Sequence, residues 1–304
     1  MTELPPHRSG FVAVIGPANS GKSTFLNAAV RQKVAGVSPR PQTTRRRQLG
    51  ILTLPGAQFV FMDTPGLQKP KNRLGSSMMR VAGDTLVQAD VVLFLADLER
   101  PPADEDREFA AWTGRNARGK PLLLVLNKID AVADAEREAR TSACRAWLPD
   151  SDCFLISARN GTGVPELLDA VAGLLPEGPA LYSEEDVTDL SEREIAADLI
   201  REAALRRLRA EVPHGIAVRV DEYRERAESG AYIKATVFVE KESHKAIVIG
   251  KAGGMLKGIG SDARARIEEM SGRRVYLELR VKVLPGWRDR ADSLRRLGYR
   301  PEDD

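Results

Sequence analysis

The sequence predicts an α/β domain built on a mostly parallel sheet, followed by a smaller α+β domain. Three observations predict it. Apolar runs near 11–16, 58–63, 91–97, 121–127 and 153–157 alternate with helical patterns, the signature of a parallel sheet covered by helices on both faces. Short motifs rich in glycine and polar residues fall at the carboxyl ends of these runs, where open α/β sheets bind ligands. Beyond Pro176 and Pro179 the pattern changes to strands that alternate strictly between apolar and polar positions, as half-buried strands do.

At 304 residues, with 42% hydrophobic and 29% charged residues, the chain is long enough for two cores. The expected division is a first domain over 1–176, a linker over 177–190 and a second domain over 191–304. No apolar stretch approaches the ~20 residues that span a bilayer, and the start Met1-Thr-Glu-Leu-Pro-Pro6 has no signal-peptide pattern. Cys144 and Cys153 are the only cysteines, so reduced packing thiols and a cytoplasmic protein are expected. His7, His214 and His244 lack ligand spacing, so no zinc site is assigned.

The first strand, Phe11 to Ile15, runs into Gly16, Pro17, Ala18, Asn19, Ser20, Gly21, Lys22, Ser23 and Thr24 at the start of a helix. Strand, glycine loop and helix in this order make a phosphate-binding loop. Gly16 and Gly21 permit backbone angles that turn successive N–H groups onto phosphate oxygens at the positive end of the helix. Lys22 would reach the β- and γ-phosphates, and the Ser23 hydroxyl would ligate Mg2+.

A strand near 47–54 follows the polar loop Gln42-Thr43-Thr44-Arg45, in which a threonine hydroxyl completes the metal shell; Thr44 is preferred to Thr43. The next strand, Gln58 to Met62, closes on Asp63-Thr-Pro-Gly66. Asp63 would hold Mg2+ through water and the Gly66 N–H would touch the γ-phosphate. Lys22, Thr44, Asp63 and Gly66 are thus the expected catalytic set, and Ser23, Thr44 and Asp63 the metal set. Position 67 holds Leu where Ras-type enzymes place a water-orienting glutamine, so slow basal hydrolysis is expected.

The base is read at Asn127-Lys128-Ile129-Asp130, after the run Leu122 to Leu126. The Asp130 carboxylate can accept hydrogen bonds from both the N1–H and the exocyclic amine of guanine, whereas adenine would present it with a lone pair. GTP and GDP are therefore the expected ligands. Asn127 would hold the strand end, the Lys128 stem would cover the base, and Ser157-Ala158-Arg159 would offer a backbone N–H to the guanine O6.

In the second domain a helix is expected from about 192 to 211, opened by the capping box Ser191-Glu-Arg-Glu194 and ended by Pro213. Strands containing Ile216 to Val220, Tyr232 to Val239 and Val275 to Val283 follow, with two helices and the loop Gly250-Lys251-Ala252-Gly253 before the last. Residues 241–300 carry 15 Lys and Arg against 7 Asp and Glu, a local excess suited to phosphate. Trp287 is read as a packing anchor for the tail rather than a stacking platform.

Taken in order, these motifs resemble the TrmE/Era group of translation-factor-like GTPases. The order helix, strand, strand, helix, G-x-x-G loop, helix and strand resembles a type II KH domain. That resemblance implies a groove for single-stranded RNA with Lys245, Ile249, Gly250, Lys251, Ala252, Gly253 and Lys257 at the RNA, and Ile247 and Ile259 on its apolar wall. Together the two halves resemble the Era family, from about Gly10 to Tyr299. The family resemblance implies binding near the 3′ end of 16S ribosomal RNA, a role in small-subunit assembly, a monomeric state and K+ held through Asn19. A membrane-associated signalling GTPase with peripheral inner-membrane contact is the alternative. A tRNA-modification GTPase of the same group is disfavoured, since it would need an N-terminal folate domain and a C-terminal cysteine.

Overall fold

The computed structural model describes residues 7–299 apart from 39, 41 and 227–229. The outermost residues of the expected domains, 1–6 and 300–304, and part of the loop before Thr44 therefore lie outside the described residues. Two compact units result. Among the described residues, the first comprises those of 7–35, 44–69 and 78–189, and the second those of 36–43, 70–77 and 190–299.

The first unit is a six-stranded sheet in the order β2-β3-β1-β4-β5-β6, formed by β1 (Arg8–Ile15), β2 (Gln48–Leu54), β3 (Ala57–Asp63), β4 (Val91–Asp97), β5 (Leu122–Asn127) and β6 (Cys153–Leu155). All pairings are parallel except β2 with β3, a hairpin that turns at Gly56 with φ 83°. β3 and β4 are buried at every position, because helices cover both sheet faces. One face builds a core around Val12, Val14, Phe25 and Phe61; the other is built around Ile15, Met62, Phe94 and Leu126. The helices are α1 (Lys22–Val30), α2 (Arg73–Gln88), α3 (Asp104–Ala117), α4 (Asp134–Arg145) and α5 (Val164–Leu174). Cys144 and Cys153 are free thiols, and burial pushes Cys144 up to about 12, which makes it chemically inert.

The stretch expected as a linker is bound to the first unit instead. The Val187 carbonyl accepts from Ile51 N–H at 2.9 Å, Thr188 donates to the Leu49 carbonyl at 2.8 Å, and Gln58 is bonded to the backbone of Leu181 and Tyr182. The edge strand β2 has unpaired backbone groups, and this segment satisfies them.

The second unit is a three-stranded sheet in the order β7-β8-β9, formed by β7 (Ala217–Arg226), β8 (Gly230–Val239) and β9 (Arg274–Val283), with β7 and β8 antiparallel and β8 and β9 parallel. One face packs on α6 (Glu192–Arg207), α7 (Glu242–Ile249) and α8 (Gly254–Ser271) through Leu199, Ile233, Val237, Val248 and Ile267. Both halves of the Ser191–Glu194 capping box form. α6 ends at Arg207, not near 211, because Leu208 turns extended and buries its side chain in the core. Trp287 is fully buried, donates to the Gly215 carbonyl at 2.9 Å and stacks on Tyr299, as a packing anchor should. A last helix, α9 (Ala291–Arg296), follows. Among the described residues, no helix is long and apolar enough to cross a membrane.

Candidate nucleotide site and nucleic-acid groove

The phosphate loop is shaped by close approach. A Cβ on Gly16 would stand 2.1 Å from the Leu95 carbonyl, and one on Gly66 would stand 2.6 Å from Ala18 Cα. Asn19 adopts a left-handed φ of 66°, which asparagine tolerates better than most residues. Leu67 is part of this wall: its N–H donates to the Gly16 carbonyl at 2.9 Å, its carbonyl accepts from Ala18 N–H at 3.2 Å, and its side chain is buried.

Lys22 is buried and its Nζ donates to the Gly16 and Pro17 carbonyls at 3.0 and 2.7 Å. Burial pushes its ammonium down to about 8, against an opposing pull from the Asp63 charge. Phosphate oxygens at the loop would favour the charged form, so a bound nucleotide would hold this lysine protonated.

Three hard oxygens converge beside the lysine. Asp63 Oδ2 accepts from Ser23 Oγ at 2.7 Å and from Thr44 Oγ1 at 3.1 Å, and the two hydroxyls lie 2.8 Å apart. Asp63 is fully buried with Oδ1 lacking a hydrogen-bond partner. Burial raises its pKa, opposed by Lys22 and by the two hydroxyl donors. An oxygen cluster with an orphaned carboxylate oxygen fits a small hard dication such as Mg2+. Thr43 is directed elsewhere, donating to the Arg40 carbonyl at 2.8 Å.

Asn127 joins the phosphate loop to the base side. Its Nδ2 donates to the Ser20 carbonyl at 2.9 Å, and its Oδ1 accepts from the Ala158 N–H at 2.9 Å. The Ala158 N–H is therefore already engaged, so a contact with a guanine O6 would be shared with Asn127. Lys128 takes a left-handed φ of 69°, and its Nζ donates to Asp97 Oδ2 at 2.7 Å and Glu99 Oε2 at 3.2 Å. Asp97, missed by sequence reasoning, sits where β4 ends; that position, beside the other strand ends, was the available signal. Asp130 is exposed on a single 3-10 turn, Ile129–Ala131.

In the second unit, Gly250 and Gly253 have φ of 72° and 76° and place the loop between α7 and α8. Next to it runs a groove of about 390 Å3 lined by Gly253, Leu256, Lys257, Ser261, Arg264 and Leu279, among others. Of the residues expected at the RNA, Gly253 and Lys257 line this groove, and Lys251 and Ala252 are exposed on the loop at its end. Lys245 is paired with Glu242 on its own helix. Ile259, expected on the apolar wall, is fully buried in the core because it lies on the side of α8 that packs against the sheet. Leu256 and Leu279 supply the wall instead.

The family model described as a 50S ribosome-binding GTPase matches residues 11–128, and a KH domain model matches 211–288. GTPase Era of Caldanaerobacter subterraneus subsp. tengcongensis is 44% identical over 96% of this chain and 98% of its own length. GTPase Era of Carboxydothermus hydrogenoformans is 42% identical over the same shares. A crystal structure of Era in complex with MgGDPNP and nucleotides 1506–1542 of 16S ribosomal RNA superimposes with a TM-score of 0.91 at 39% identity, covering 97% of this chain and 99% of that one. With this identity sustained from end to end across both units, the chain belongs to the Era family of GTPases.

Proposed function

We propose that this chain hydrolyses GTP with Mg2+ and holds the 3′ region of 16S ribosomal RNA in the groove beside Gly253, acting in assembly of the small ribosomal subunit. The observation that carries this reading is the likeness, over nearly the whole chain, to an Era that holds MgGDPNP and a 16S segment together. The residues present fit that pair of ligands. Ser23, Thr44 and Asp63 would hold Mg2+, whose chemistry is to neutralise charge building between the β- and γ-phosphates. Lys22 would exchange its two carbonyl acceptors for phosphate oxygens, and the Gly66 N–H would orient the γ-phosphate. Asp130 would read guanine while Lys128, its head held by Asp97 and Glu99, would cover the base.

Hydrolysis is slow in this reading because Leu67 brings no polar group to the attacking water. Asn19 would support K+ against the phosphates, adding a charge that Na+, with its shorter contacts, replaces poorly. Hydrolysis rates measured in potassium should exceed those in sodium at equal ionic strength, and equal rates would remove K+ from the mechanism.

Nucleotide and RNA binding are coupled in this reading through the chain itself. Thr44 lies in the first unit, whereas residues 36–43 directly before it belong to the second. There the Val37 N–H donates to the buried Glu202 of α6 at 3.1 Å, and Arg40 donates to the Leu205 and Leu208 carbonyls. Ordering of Thr44 by nucleotide would thus be felt at α6, which packs against α8 of the groove. Linkage demands reciprocity: GTP should tighten RNA by the factor by which RNA tightens GTP. Titrating each ligand in the presence and absence of the other measures both factors. Two independent affinities would defeat the switch while leaving each binding site in place.

A further inference from the structure

The sheet of the second unit has a face opposite the helices that is exposed at its Tyr276 end, while Thr236 and Phe238 farther along it are buried. Along β9, Val275, Leu277, Leu279, Val281 and Val283 pack toward the helices, and the residues between them project to the opposite side. Pairing register places Tyr232 beside Tyr276, Lys234 beside Glu278 and Thr236 beside Arg280. The two tyrosine rings are stacked, with centroids 5.7 Å apart and planes 14° from parallel. Tyr276 is 62% exposed, more than Val87, Ile247 or Leu181 among the exposed large hydrophobic side chains of the described residues. A tyrosine ring that size left in water, with its neighbour already stacked behind it, is a platform for another flat group.

Charge identifies the flat group. Arg219, Arg224, Lys234, Arg274, Arg280 and Lys282 face this side against Asp221, Glu222 and Glu278, a twofold excess of cations. The acids are each bound within the face: Glu278 by Tyr232, Lys234 and Arg280, Asp221 by Arg219 and Thr236, and Glu222 by Arg224. A surface with an exposed aromatic ring and surplus positive charge suits a nucleic acid strand, because bases stack and phosphates pair.

Position says which strand. β9 is the edge of the sheet, and its inward residues Leu277 and Leu279 line the groove beside Gly253. Tyr276 and Arg280 stand on the other side of the same strand. A sheet is one backbone thick, so a nucleotide leaving the groove has only the edge strand to cross. We propose that the open sheet face is a second RNA contact, continuous with the groove, in which a base flanking those in the groove stacks on Tyr276 and its phosphates meet Arg274 and Arg280. The inference rests on the groove reading above.

The test uses the full chain with Mg2+ and GDPNP, and an RNA of 16S nucleotides 1506–1542 carrying a fluorescent label. Tyr276→Ala should weaken this RNA about tenfold, the effect of losing one base stacked on an aromatic side chain. Tyr276→Phe, which keeps the ring, should bind like the unchanged protein. Ultraviolet crosslinking of the unchanged protein should attach RNA at Tyr276 as well as around Gly253, a measurement independent of whether any variant folds. If Gly253→Asp loses RNA while Tyr276→Ala binds it fully and no crosslink reaches the sheet face, the sheet-face contact is wrong and the groove stands. If the unchanged protein ignores this RNA, the groove reading falls and the sheet-face contact falls with it.

Discussion

Asp130→Asn should lose GTP and gain xanthosine triphosphate. In the wild-type chain the carboxylate would accept two charge-assisted hydrogen bonds from guanine, each worth about 1.5–3 kcal/mol. Asparagine offers one acceptor and one donor, and its donor would face the guanine amine. The bond to the amine is lost, the bond to N1–H survives only between neutral groups, and two donors are left facing each other; together these cost about 3 kcal/mol at this exposed position, a weakening of GTP by about 100-fold. Xanthine carries a carbonyl in place of the amine, so the same asparagine would donate to it and accept from N1–H. The protein should tolerate the change, since the Asp130 carboxylate has no hydrogen bond or ion pair among the described residues. Competition of GDP and XDP against a fluorescent nucleotide measures the exchange. Undiminished GTP affinity, or no gain for the xanthine nucleotide, would show that Asp130 does not read the base.

That prediction was legible in sequence because nucleotide chemistry fixes residue types at fixed spacings. Gly16 and Gly66 are placed where a Cβ would strike backbone, so no other residue fits, and the pattern shows. Ser23, Thr44 and Asp63 come from three distant segments; Ser23 opens α1 and Asp63 closes β3, elements whose apolar pattern is plain, while Thr44 sits in the loop before β2, and the fold brings the three within 3.1 Å. The pattern favours Thr44 over Thr43 only weakly, because adjacent residues share a loop and only the backbone's direction separates them.

Elsewhere the deciding interaction was tertiary. Residues 177–189 contain Gly178-Pro179 and five acids and read as a linker, but the Val187 carbonyl and the Thr188 and Asp189 side chains bond the backbone of the edge strand β2, and nothing in the local pattern marks which polar groups meet a strand more than a hundred residues away. Ile259 has the right spacing from the Gly-x-x-Gly loop for a groove wall. Which side of α8 meets the sheet is fixed by Ala263 and Ile267 on the same helical stripe, and Ile259 goes with them into the core. Leu256, Lys257, Gly260, Ser261 and Arg264 form the stripe that is left, and it borders the groove. Asp97 carries no signature of its own in the sequence, since a lone aspartate at a strand end is common; its value comes from holding Lys128, a contact made across two strands.

Gly253→Asp should abolish most RNA binding and leave nucleotide binding intact. A Cβ at Gly253 would meet nothing within 4 Å, so the new carboxylate has room at the mouth of the groove. The backbone there has φ 76°, a conformation in which aspartate is among the better-tolerated side chains, costing roughly 1–2 kcal/mol. The fold should therefore survive with a modest fall in melting temperature. RNA should not, for the carboxylate would lie where the phosphate backbone approaches Lys251 and Lys257, replacing attraction by repulsion and filling space that glycine keeps open. We expect RNA affinity to fall about 100-fold, a change of ~3 kcal/mol. Gly253→Asn separates charge from shape: it accepts the same backbone and adds the same volume without the anion. If affinity falls equally in both variants, steric closure of the groove accounts for the loss. If asparagine retains much of the affinity and the deficit of aspartate shrinks in high salt, the phosphate backbone passes this loop. An aspartate variant that binds RNA as tightly as the wild type would place the strand somewhere other than beside Gly253.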